Sequence, residues 1–258
     1  MNQTLNVIMK RRSTRVYSDD TITDEEKSTI LEVTLRAPTG GNMMLYSIVE
    51  IGSQDLKDKL SETCDHQPFI AKAPWVLLYL ADFQRQYDYF DYCEVPRLCR
   101  ERNISYRTPE AADLMLACCD ALIAAQTTVL AAESLGIGSC YIGDIMENYE
   151  AHRDLLQLPK YVFPIALLCL GRPARELSEK SRSSRFGREF IVYKNAYRRL
   201  SSEDFKRMYA PVEPPPGETR RYFKDVENIG QSLYVRKTSA DFSLEMVRSV
   251  KVMLENWK

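Results

Sequence analysis

The chain has 258 residues, 45% of them hydrophobic, enough to bury the core of one large domain or two small ones without metals or disulfides. Its 35 Lys and Arg stand against 36 Asp and Glu, a balance that leaves no charge footprint for bulk nucleic-acid binding. Residues 1–11 carry neither a long apolar run nor a small-residue cleavage pattern, so the expectation is a cytoplasmic protein.

Residues 5–11 read as a short helix running into a basic segment. Thr23-Asp24-Glu25-Glu26 is a capping-box start, and the helix it opens carries Ile30, Leu31 and Leu35 on one side. Pro38 and Gly40-Gly41 stop it. Residues 46–51 read as a strand and 54–64 as a helix. Residues 75–81 form a continuous apolar run of strand length, expected to be buried on both faces. Residues 83–107, rich in Tyr, Asp and Arg, break the pattern and read as a loop or small helical lid. Thr108-Pro109 supplies an N-cap followed by Pro for the longest helix, which runs to Leu135 and stops at Gly136. That helix spans on the order of 40 Å. It is apolar nearly all round, which requires a central position or a subunit interface. Asp113, Asp120, Gln126 and Glu133 interrupt it too often for a membrane span.

Residues 139–142 and 162–170 read as further strands. Pro211, Pro214, Pro215 and Pro216 mark a stiff linker. The last helix, over 242–257, places Phe242, Met246, Val250, Met253, Leu254 and Trp257 on one stripe. Strands and helices mix without a β-α-β rhythm, so the class is α+β. The seven cysteines include no C-x-x-C pair, and the only histidines are His66 and His152, so no metal site is expected. The thiols read as reduced and mostly buried, with Cys93 and Cys99 the exposed ones.

Four segments carry chemistry. In Arg11-Arg12-Ser13-Thr14-Arg15, three guanidinium forks and two hydroxyls stand within five residues, the donor set that a phosphate monoester wants. In Ala37-Pro38-Thr39-Gly40-Gly41-Asn42, small residues let the backbone approach a flat ligand, and Asn42 offers a donor and an acceptor to a pyrimidine edge. Residues 136–143, Gly-Ile-Gly-Ser-Cys-Tyr-Ile-Gly, follow a helix and lack the dinucleotide spacing. Arg182-Ser183-Ser184-Arg185 is a second basic, hydroxylic cluster. Taken singly, these are also what a solvated basic turn or an ordinary loop looks like. Two basic clusters in a near-neutral chain suggest convergence on one anion.

In this order the four segments resemble the nitroreductase family. Its R-R-S-x-R-x-[FY] opening stands at Arg11 to Tyr17 and its A-P-[ST]-x-x-N loop at Ala37 to Asn42. Its glycine turn stands at Gly136 to Gly143, and its late strand leads into Gly171-Arg172-Pro173. The resemblance implies a nitroreductase-like fold: a central, mostly antiparallel sheet flanked by helices, a long central interface helix and a C-terminal extension. It implies a division into 1–200, the FMN-binding domain, and 201–258, an extension packing on the domain or the partner. It also implies a homodimer with FMN at the interface. Arg11, Arg12, Ser13 and Arg15 would hold the phosphate, with Arg182 and Arg185 closing on it. Pro38, Thr39 and Asn42 would approach the flavin from the other subunit, and Tyr141, Ile142 and Gly143 would line the ring.

No catalytic side chain is implied. NAD(P)H would reduce the flavin and leave before a nitroaromatic, quinone or free flavin takes the electrons. The alternatives are a same-fold enzyme of reductive dehalogenation or flavin fragmentation, or a non-catalytic FMN redox sensor. The chain departs from the pattern at Met44-Leu45-Tyr46, where the family often has Gln-Pro-Trp, and at Ser183, where it often has a basic residue.

Overall fold

The computed structural model describes residues 2–175, 184–213 and 226–257. The chain forms two compact units, residues 1–176 with 245–258 and residues 177–244. The strands are β1 (Tyr46–Glu50), β2 (Trp75–Asp82), β3 (Gly138–Ile142) and β4 (Val162–Gly171). The first unit's helices are α1 (Gln3–Lys10), α2 (Asp24–Thr34), α3 (Gln54–Thr63), α4 (Pro68–Ala71), α5 (Gln84–Tyr92), α6 (Val95–Glu101), α7 (Ala111–Ser134) and α8 (Tyr149–Leu156). Later in the chain come α9 (Ser202–Tyr209), α10 (Ile229–Leu233) and α11 (Asp241–Trp257).

The sheet runs β1-β2-β4-β3 with every neighbouring pair antiparallel, as the α+β reading expects. Alternation along β2 explains its complete burial. Trp75, Leu77 and Tyr79 pack with Ile30 of α2 and the alanines of α7, whereas Val76, Leu78 and Leu80 pack with Leu60 of α3 and Ile70 of α4. A buried hydroxyl chain crosses the first interface. Thr34 of α2 lies 2.5 Å from Thr128 of α7, which lies 2.6 Å from the Tyr79 hydroxyl.

The capping box at Thr23 and Glu26 forms as expected. The second oxygen of Glu26 accepts from Arg172 at 2.5 Å, and Arg172 also donates to the Leu135 carbonyl at 3.1 Å, tying the start of α2 to the end of α7. Leu35 departs from expectation. Helix α2 ends at Thr34, and Leu35 is 53% exposed.

α7 begins two residues later than an N-cap at Thr108 predicts. Asp113, gripped by Arg107, accepts from the Glu110 amide at 2.9 Å, which makes Glu110 the N-cap. α7 is long and apolar enough to cross a membrane, but its Leu114, Ala117, Ala121, Ala125 and Val129 are buried in this unit as in a core helix. Its other side exposes Met115, Leu116, Cys119, Leu122 and Ile123. Residues 83–107 are mostly helical, as α5 and α6.

The end of α11 belongs to the first unit, where Met253 and Trp257 are buried with Leu45, Phe83, Leu114 and Tyr161. Leu254 is 40% exposed, so the buried stripe is narrower than the sequence period suggests. Cys64, Cys140 and Cys169 are buried. Cys93 is exposed as expected, Cys99 is half-buried, and Cys119 is exposed against expectation.

In the second unit, Ser201 and Asp204 form a capping box at α9, and Arg198 and Arg207 close on Asp204 at 2.6 and 3.1 Å. Pro214, Pro215 and Pro216 lie outside the described residues.

Candidate active site

After α1 the chain turns extended at Arg11 and runs beside β3. Ser13 pairs with Ser139 in a parallel bridge, and the Thr14 amide donates to the Ser139 carbonyl at 2.9 Å. Farther on, Tyr17 pairs with Pro173, and the Ser18 amide donates to the Arg172 carbonyl at 2.9 Å. The basic opening, the glycine turn and Gly171-Arg172-Pro173 thus meet in one ledge. Two glycines make the approach possible. A Cβ on Gly138 would lie 2.2 Å from Thr14 Oγ1, and one on Gly171 would lie 2.4 Å from Tyr17 Cδ1.

Thr14 faces inward and is buried, which leaves Ser13 and Arg15 exposed, with Arg11 and Arg12 half-buried. The Arg15 guanidinium sits 5.6 Å from the centre of the Phe69 ring, beside a cavity of about 670 Å³ that Tyr17 and Lys72 also line.

Ser139 Oγ, beneath the ledge, and Glu133 Oε1, in the last turn of α7, are buried without hydrogen-bond partners among the described residues. Burial pushes the Glu133 carboxyl up to about 7 against the pull of Arg11, and the Tyr141 phenol up to about 12, again against Arg11. Burial also raises the Cys140 thiol, opposed chiefly by Arg15 and Ser13. Ile142 is buried in the sheet, whereas Gly143 is exposed and a Cβ there would meet nothing within 4 Å. The chain's own packing therefore does not demand glycine at 143, but the close approach of a flat ligand would. Ser13 and Arg15, exposed, with the half-buried Arg11 and Arg12, supply the donor types that a flavin phosphate takes, with the Tyr141–Gly143 turn left for the ring.

The Asn42 loop is built differently. Asp120, buried on α7, accepts from the Thr39 hydroxyl, from the Gly40 amide at 3.1 Å and from the Leu45 amide at 3.1 Å. Thr39 Oγ1 in turn accepts from the Met44 amide at 2.9 Å, so this hydroxyl is engaged within the loop. The clamp holds Gly41, Asn42 and Met44 at φ values of 58, 59 and 50°. Pro38 and Asn42 are exposed, and Asn42 borders a cavity of about 520 Å³ with Tyr46 and Arg85. Within one chain, then, the Asn42 loop is anchored on Asp120 of α7, whereas the Arg11–Arg15 ledge is anchored on Ser139 of β3. Arg185 is exposed in the second unit and donates to the Ser184 carbonyl at 3.1 Å; Arg182 lies outside the described residues.

Sequence reasoning overlooked Asp120, Glu133 and Phe69. A signal existed for Asp120: it falls on the same face of α7 as Ala117, Ala121 and Ala124, and a carboxylate on a buried stripe requires donors from elsewhere. Phe69 carried no signal, since only the tertiary fold brings it to Arg15.

A family model described as the nitroreductase family matches residues 8–172. An FMN reductase (NADPH) of Bacillus subtilis is 30% identical over 208 residues, which cover 80% of this chain and 78% of that protein. An oxygen-insensitive NADPH nitroreductase of Salmonella typhimurium is 30% identical, with 79% and 78% covered. A crystal structure of a Bacteroides fragilis protein assigned as an oxidoreductase superposes with a TM-score of 0.81 at 30% identity, covering 98% of each chain.

Proposed function

The chain belongs to the nitroreductase family, and from that premise we propose that it is an FMN-dependent oxidoreductase using NAD(P)H to reduce small acceptors such as nitroaromatics, quinones or free flavin. The names of its relatives, FMN reductase and NADPH nitroreductase among them, support the flavin, the nicotinamide and the acceptor class. The observation that carries the reading is the Ser13–Ser139 bridge, which sets the basic segment against the glycine turn as one ledge.

On that ledge Arg11, Arg12, Ser13 and Arg15 bind the phosphate, with Arg182 and Arg185 as further ligands. Tyr141, Ile142 and Gly143 line the ring. Pro38, Thr39 and Asn42 approach from a second copy of the chain. Thr39 serves through its backbone, because its hydroxyl is engaged by Asp120. NAD(P)H supplies the electrons and the acceptor takes them, the flavin providing the two-electron redox chemistry between. The protein's part is to hold, orient and shield, and no side chain is assigned a covalent or proton-transfer role.

The test is direct. Purified protein carries a yellow flavin absorbance that bleaches on adding NADPH or NADH and returns with an acceptor. Arg15→Ala weakens FMN binding roughly ten- to a hundredfold, the effect of losing one charge-assisted hydrogen bond. A colourless protein that ignores added FMN rules the reading out. One that binds FMN but oxidises no NAD(P)H with any acceptor is a sensor instead.

A further inference from the structure

The loop that carries Asn42 has little in its own covalent structure to fix its shape. Residues 40–46, Gly-Gly-Asn-Met-Met-Leu-Tyr, include two glycines and no proline. Gly41, Asn42 and Met44 stand at positive φ, a region that a residue such as Met44 adopts only when its surroundings impose it. Asp120 imposes it on the N–H side, by accepting from the Gly40 and Leu45 amides.

Arg85, in the first turn of α5, acts on the carbonyl side. Its Nη2 donates to the Met44 carbonyl and, at 3.1 Å, to the Tyr46 carbonyl, while Nη1 donates to Ser47 Oγ at 3.0 Å. The Met44 carbonyl also accepts from the Tyr46 amide at 2.7 Å, which closes a three-residue turn about Leu45. The guanidinium is aimed by Asp82, a buried residue at the end of β2. Asp82 Oδ1 accepts from the Arg85 amide at 3.1 Å. Its Oδ2 accepts from Ser47 Oγ at 2.5 Å and lies 3.6 Å from Arg85 Nη1. The Asp82 amide donates in turn to the Leu45 carbonyl at 3.0 Å. A carboxylate thus holds the loop's amides, and a guanidinium holds its carbonyls.

We infer that Arg85 is a positioning residue of the flavin site: by holding the Met44 and Tyr46 carbonyls it fixes the backbone that presents Asn42, and it ties that backbone to α5. The inference rests on the assignment of Asn42 to the flavin made above. One rigid, planar fork reaches two carbonyls and a hydroxyl at once, whereas an ammonium on a flexible stem cannot span them while staying beside Asp82. A loop held before the ligand arrives loses less entropy on binding, so a loosened loop is read as weaker FMN affinity.

Full-length Arg85→Met and Arg85→Lys proteins are compared with wild type. Hydrogen exchange of the flavin-free proteins, read by mass spectrometry, is expected to quicken across residues 40–46 in both variants and to stay unchanged across residues 11–15. Titration with FMN, followed by flavin fluorescence, is expected to give a Kd roughly tenfold higher. Arg85→Lys keeps the ion pair with Asp82 and is expected to melt close to wild type, which separates loss of the loop's shape from loss of global stability. If Arg85→Met does not fold, Arg85→Lys carries the same measurements. Combined with Asp120→Asn, which loosens the same loop, either variant is expected to raise Kd by less than the product of the single effects; combined with Arg15→Ala, on the ledge, the effects multiply. Unchanged exchange across residues 40–46 overturns the inference, and so do effects that multiply in full with Asp120→Asn. Faster exchange with an unchanged FMN Kd also overturns it, and takes Asn42 out of the site while leaving the ledge and the flavin reading standing. A wild-type protein that binds no FMN removes the flavin reading and this inference with it.

Discussion

Glu147 is buried at 4% exposure among other acids. Asp144, Asp65 and Glu245 all face it, and one of its oxygens has no partner among the described residues. Burial first, then Asp144, pushes its carboxyl up to about 8. In the unfolded chain the same group titrates in the ordinary carboxylate range, so between that range and about pH 8 the folded state holds a proton that the unfolded state has lost. Stability contributed by Glu147 is thus complete in mild acid and is lost as pH rises toward 8. Glu150 and Glu245, held down to about 2 by Arg248, are already ionised across this window and add no slope. The expected outcome is a Tm that falls by several degrees from about pH 5 to about pH 8 and then levels. Glu147→Gln, which keeps the shape without the ionisation, makes that limb shallower, leaving the slopes that the raised Glu133 carboxyl and the lowered His152 imidazole contribute in both proteins, and is the more stable protein at pH 8. A thermal melt series on the two proteins checks it, and parallel slopes reject the assignment.

At the scale of elements, what sequence could and could not show follows from the range of the interactions. The α2 capping box is four consecutive residues satisfying one another, so Thr23 and Glu26 announce it. β2 is readable because a strand covered on both faces must be apolar throughout. The start of α7 was misplaced because Arg107 and Asp113 close around Glu110, a contact that competes with the local signal at Thr108. Leu35 fits the helical period but falls past the end of α2, and Leu254 lies at the edge of the α11 stripe beside the buried Met253 and Trp257. The ledge was legible as a basic cluster, but its pairing with Ser139 was not, since the strand that receives it lies far along the chain. The Asn42 loop shows the same limit, because its conformation is set by one carboxylate on a distant helix. Asp120→Ala leaves the Gly40 and Leu45 amides without their acceptor, at roughly 1–3 kcal/mol for each that stays buried and unpaired. The variant is expected to melt lower and to bind FMN more weakly, because Asn42 no longer has a fixed backbone. Asp120→Asn, which keeps one acceptor oxygen, gives a smaller effect of the same sign. Unchanged FMN affinity in both variants would remove the Asn42 loop from the site.

The whole molecule poses a question that one chain does not answer. The Asn42 loop is anchored on Asp120 of α7 and the Arg11–Arg15 ledge on Ser139 of β3, yet the proposed site needs both. A second copy resolves this if α7 lies in the interface, so that the loop of one chain reaches the ledge of the other. The helix carries the surface for it. Met115, at 70% exposure, with Leu116, Cys119, Leu122 and Ile123 forms an apolar stripe opposite the core-facing side. Such a stripe is costly to leave in water and is what an obligate interface buries. Dimerisation and flavin binding are then linked, each strengthening the other by mass action. Leu122→Glu, which sets a charge on the stripe without touching the ledge, is expected to give a monomer in sedimentation experiments and to lose most of its FMN in the same preparation. Adding FMN in excess is expected to drive part of the variant back to dimer. A folded monomer that binds FMN as tightly as the wild type would show that one chain suffices for the site, and Asn42 would then have to act from within its own subunit or not at all.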